Sequence, residues 1–135
     1  MKLPAALFID RGGILHSDTF DNIDHGKFFV VIGKNDDGYV GFFFINSNIH
    51  PINQKPEQMK MQYLLRKSDY GFLNYDSFLC CTEIQTIEKD KLDESLAQGR
   101  TIVKGVLKSE HIEEVLEMVR NSKLFTEVEK ETFFK

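Results

Sequence analysis

The chain has little cysteine, little proline, no long apolar run and no surplus of positive charge, and each shortage excludes something. Its two cysteines are adjacent, Cys80 and Cys81. Neighbouring side chains of a strand point to opposite faces, so the two are poorly placed to bridge each other, and a lone pair lacks metal-ligand spacing. They read as reduced thiols with one in the core. Three prolines and 28% charged residues argue against disorder. No apolar run approaches the roughly 18 residues that span a membrane. The stretch LPAALFI is too short for a signal-peptide core and meets Asp10 and Arg11 at once. The cytoplasm is therefore the expected location. Net charge is −4, and residues 109–135 hold seven Glu against four Lys/Arg. That excludes a global basic field of the nucleic-acid-binding kind but leaves room for a local patch. The four His lack metal-binding spacing, and there is no Gly-rich phosphate loop or Gly-x-Ser-x-Gly elbow. No metal or cofactor is expected.

What is present is a strand pattern with one late helix. At 135 residues, 41% hydrophobic and with twelve Phe, the chain suits one domain with a sizeable core. KFFVVIG, residues 27–33, runs apolar without alternation, as a strand buried on both faces does. KNDDG is turn chemistry, and YVGFFFIN returns as the second arm of a hairpin. Shorter strands are expected at Ile14-Leu15, in MQYLLRK, in an extended piece of DYGFLNYD, between Phe78 and Ile87, and over 101–107 with a bulge at Gly105. A charged turn should follow Ile87. Ile112, Val115, Leu116 and Val119 fall on one helical face, with Ser109 as the expected N-cap. Thr126 and Glu129 have capping-box spacing for a short tail helix. Phe133 and Phe134 then either dock or seek a partner. Short strands with bends and glycines suit a small barrel. The expected class is mainly β (α+β): a strongly bent SH3-like β-barrel over about 12–107, an amphipathic helix over about 109–121 and a tail over 122–135.

The order GGIL, HGKFFVVIG…GYVGFFFINS, DSFLCCTEIQTIEKDKL and GVLKSEHIEEVLEMV resembles the MazF/PemK-like toxin superfamily across residues 12–121. The resemblance implies a small bent barrel, a metal-independent endoribonuclease toxin of a toxin–antitoxin pair, a homodimer, single-stranded RNA as substrate and an antitoxin protein as partner. It places the family's Ser/Thr position at Ser47. Where family members carry Arg-Pro, this chain has His25-Gly26-Lys27. The alternative is a catalytically silent barrel that binds protein or RNA.

Hairpin pairing brings the start of one strand beside the end of the next. His25, Lys27 and Ser47 are therefore the candidate catalytic residues, with Asn46 and His50 as substrate-binding residues at the rim. His suits proton transfer near neutrality, Lys suits phosphate charge, and Ser and Asn can donate hydrogen bonds. His16 and His111 look incidental. Phe42-Phe43-Phe44 puts apolar groups on both faces of one strand. The outward one must be covered by the helix or by another subunit, which also suggests a homodimer.

Overall fold

The hairpin singled out by the sequence is the centre of the sheet in the computed structural model, which describes residues 9–18, 26–48 and 55–135. β2 (Lys27–Lys34) and β3 (Tyr39–Asn46) pair antiparallel. Asn35 Oδ1 accepts the backbone N–H groups of Asp37 and Tyr39 in the connecting turn. Gly38 takes φ of 85° there, a conformation with no steric penalty for glycine. β1 (Gly13–Ser17) lies on the outer side of β2, and β7 (Thr101–Val106) lies outside β1. The other side of β3 is shared. β5 (Ser77–Cys80) pairs with Ile45 and Asn46, while β6 (Gln85–Glu88) pairs with Tyr39 to Phe42. β4 (Gln62–Leu65) adds to β5. The order is β4-β5-β3-β2-β1-β7, with β6 also on β3.

Among the described residues the sheet is mainly antiparallel and is not closed into the expected barrel: β4, β6 and β7 each pair with one strand only. Both faces of the central strands find cover. Val30, Ile32, Phe43 and Ile45 pack in one cluster with Val115, Leu116 and Val119 of α3 (Ser109–Arg120). Phe29, Val31 and Phe42 pack in a second cluster with Ile9 and with Leu92 of α2 (Lys89–Ala97). The outward ring of the Phe run is thus covered within the chain, and Phe42 is only 2% exposed. The argument from Phe42-Phe43-Phe44 to a second subunit loses its basis. At the open edge, Arg100, Lys104 and Lys108 sit at alternating exposed positions in or beside β7, where charge discourages unwanted strand pairing. Lys104 is the extra residue opposite the Ile14-Leu15 step, so the bulge falls next to Gly105.

α3 buries Val115, Leu116 and Val119, with Ile112 partly buried against the same core. Its N-cap is Lys108 and not Ser109, because the Tyr70 hydroxyl accepts the Lys108 N–H at 3.0 Å. α2 stands where the sequence suggests a charged turn; of its apolar residues only Leu92 is fully buried. A short α1 (Pro56–Met59) precedes β4. Residues 66–76 form turns around the buried Tyr70 and Leu73, with no extended piece. α4 (Glu127–Phe133) opens with the Thr126–Glu129 capping box. Both terminal Phe rings dock. Gly33 and Gly41 face each other across β2 and β3, and a Cβ at Gly41 would stand 2.6 Å from the Phe133 ring. Gly41 gives room to this ring and Gly33 to the Phe133 backbone, so the two glycines together make the notch in which Phe133 sits. Arg11 then donates to the carbonyls of Phe133 and Lys135, and Arg120 to that of Phe134.

Both cysteines are free thiols, Cys81 fully buried and Cys80 half-buried. Burial pushes the Cys81 thiol well above its usual pKa, which keeps it protonated and unreactive. Iodoacetamide in mildly alkaline buffer is expected to alkylate Cys80 alone in the native protein, and both thiols after unfolding. Mass spectrometry showing native modification at Cys81 would contradict this packing.

Candidate functional site

The start of β2 and the end of β3 lie side by side because the hairpin register pairs Phe28 with Ile45. The next residues out, Lys27 and Asn46, follow in the same register, and the Lys27 ammonium donates to Asn46 Oδ1. Alternation places this pair on the face that carries Phe29 and Phe44, and Lys27 Nζ stands 5.3 Å from the centroid of the Phe44 ring. Phe28 and Ile45 point to the other face. A cleft of about 370 Å³ opens at these strand ends and takes residues of both faces into its lining. Lys27, Asn46 and Ser47 belong to it, together with Gly26, Phe28 and Asn48. The rest of the lining is Leu73, Asn74 and Tyr75 of the turn segment before β5, with Ser77 at the start of β5.

Three of the five candidate residues, Lys27, Asn46 and Ser47, are therefore brought to one cleft. His25 and His50 lie outside the described residues. Lys27 is the one charged side chain in the lining among the described residues. Burial pushes its ammonium below the usual pKa, opposed by the nearby Cys80 thiol. The charge is thus held in place, half removed from water and, among the described lining residues, without a carboxylate beside it, which suits an incoming anion. A buried chain of hydroxyls runs up beside it. Ser95 and Thr101 lie 2.6 Å apart, and Thr101 donates to Ser17 at 2.8 Å. Ser17 is the cross-strand neighbour of Lys27.

Some of these contributors carried no signal in the sequence. His16, which looks incidental there, packs edge-on against Phe28 with ring centroids 4.6 Å apart. It also bears on Gly26: a Cβ at that position would stand 2.1 Å from His16 Cε1, so any larger residue there would have to push the imidazole aside. His111 has a role as well, its Nδ1 lying 2.7 Å from the Tyr70 hydroxyl at the head of α3. Asn74 and Tyr75 come from a turn-rich stretch whose distance from residue 46 along the chain hides their proximity. Among the described residues no group of three or more His, Cys, Asp or Glu is arranged to hold a metal ion. No helix among them is long and apolar enough to cross a membrane.

No family model matches the chain, and no curated protein matches it. Solved structures do. The Mycobacterium tuberculosis toxin MazF-mt6 superimposes with a TM-score of 0.51 at 13% identity, over 82% of this chain and 94% of that one. Identity at this level speaks to architecture alone, and the two architectures agree in a mainly antiparallel sheet with flanking helices. The chain has a MazF-like fold.

Proposed function

We propose that the chain is a divergent MazF/PemK-like endoribonuclease toxin that acts on single-stranded RNA at the strand-end cleft, as a homodimer held silent by an antitoxin protein in the cytoplasm. The observation that carries this reading is the placement of Lys27, with the polar groups of Asn46 and Ser47 beside it, in a cleft of one-nucleotide scale. RNA supplies its own nucleophile, the 2′-hydroxyl. Its oxygen attacks the adjacent phosphorus, the P–O5′ bond breaks, and a cyclic phosphate and a 5′-hydroxyl result. One proton leaves the 2′-oxygen and one reaches the departing 5′-oxygen. Lys27 faces the charge that builds on the phosphorane oxygens, Ser47 and Asn46 hold the phosphate, and His25, next to Gly26 in the chain, is assigned to proton transfer, with His50 at the rim.

A catalytically silent module that binds RNA or protein is the second reading. It is favoured by the single cation in the lining among the described residues, since His25-Gly26-Lys27 stands where the family carries Arg-Pro. Inducible expression separates the two. Wild type is expected to arrest growth and fragment bulk RNA, and Lys27→Ala to relieve both. Normal growth with intact RNA would move the assignment to the silent module.

A further inference from the structure

Tyr75 is the largest exposed ring on the cleft wall, with 67% of its surface open to solvent. Its loop is nevertheless firmly held. Asp76 Oδ1 accepts the Lys67 N–H at 2.8 Å, Ser77 Oγ donates to the Tyr75 carbonyl at 3.0 Å, and Leu73 two residues earlier is buried. Among the described residues the ring has no aromatic partner and the hydroxyl no hydrogen-bond partner. A single exposed apolar residue is ordinary. This one shares its cleft with the half-buried Lys27 ammonium and with the side-chain amides of Asn48 and Asn74.

We infer that Tyr75 is a stacking platform for one nucleobase of a bound single strand, set beside the phosphate that Lys27 receives. The inference rests on the RNA reading above and adds to it the residue that holds the base. Three features of the cleft point to this ligand. Stacking needs an accessible ring on a backbone already held in place, which the pinned loop supplies with less ordering left to do on binding. A base edge presents both donors and acceptors, and an amide side chain offers both. The cleft lies at the small end of ligand-site volumes, so it suits one base with its phosphate and not a folded RNA element. An acidic peptide would be served by the lysine and the amides but would leave the ring without a flat partner to stack on.

The test is binding of an end-labelled single-stranded RNA oligonucleotide, followed by fluorescence anisotropy, to wild type, Tyr75→Ala, Tyr75→Phe and Lys27→Ala. Tyr75→Ala is expected to weaken binding about 5- to 150-fold, the range for losing one stacked base, and Tyr75→Phe to bind like wild type. An abasic site walked along the oligonucleotide should find one position where the loss is already present, and there Tyr75→Ala should add nothing further. Because the ring is exposed, circular dichroism and melting should not change. Equal affinity for wild type and Tyr75→Ala, or equal losses for Tyr75→Ala and Tyr75→Phe, would overturn the stacking role while leaving RNA binding in place. RNA ignored by wild type and every variant would overturn the RNA reading, and this inference with it.

Discussion

Replacing Lys27 with methionine is expected to reduce RNA cleavage about 10²- to 10³-fold, the usual loss when one charge-stabilising donor is removed from a reacting phosphate or acyl group, with no fall in melting temperature. The two halves of this result have one cause. A lysine held partly out of water near Phe44, with no carboxylate in the lining among the described residues, is placed for an anion and not for the fold. Burial lowers its folded-state pKa below the unfolded value. Between those two values the unfolded chain binds more protons, so stability rises with pH across that alkaline window. At neutral pH the charge is therefore a cost to folding. Methionine keeps the stem and its contact with the ring and removes that cost, and water in the open cleft can take the place of the donor lost to Asn46. Melting curves at neutral and alkaline pH, set beside cleavage rates, check both halves. A melting temperature lower by several degrees would mean that the ammonium is structural, and unchanged cleavage would remove Lys27 from the chemistry.

Leu116→Asp is expected to destabilise the protein by at least about 3 kcal/mol, or to prevent folding altogether. Leu116 is 6% exposed and belongs to the cluster that joins α3 to Val30, Phe43 and Leu79. Loss of a buried leucine costs about 2–5 kcal/mol, and a carboxylate in that position has no cation to pair with among the cluster's residues. For a domain of this size the melting temperature should drop by roughly 10 °C or more, with Leu116→Ala falling between the two. A Leu116→Asp protein that melts within a few degrees of wild type would show that α3 does not carry the core. The N-terminal end of the same helix supports the turn that bears Tyr70 through hydrogen bonds at Lys108 and His111, so partial unfolding of α3 should also weaken the cleft wall.

Much of the frame could be read directly from residue patterns. The unbroken apolar run of β2, the turn at Asn35–Gly38 and the apolar run of β3 specify a hairpin locally, because pairing across a short turn needs no distant partner. The stripe Ile112, Val115, Leu116 and Val119 specifies α3 for the same reason, and Thr126 with Glu129 specifies the start of α4. The closeness of Lys27, Asn46 and Ser47 was also legible, since it follows from hairpin register alone. α2 was not. Its charged run has little apolar periodicity, and Leu92 is recognisable as a core residue only once Phe42 is seen opposite it in the second cluster.

The sequence by itself determined the strand-rich class, the central hairpin, the helix face of α3 and the meeting of polar groups at one hairpin end, because each depends on contacts between residues near in the chain. Only the tertiary structure decided that the sheet stays open among the described residues, that both faces of β3 are covered from within the chain, that Gly33 and Gly41 make room for Phe133, and that Tyr75 lines the same cleft as Lys27. These depend on pairs separated by tens of residues. A glycine, a tyrosine or a short charged helix carries no mark of its distant neighbour until the chain between them has been folded.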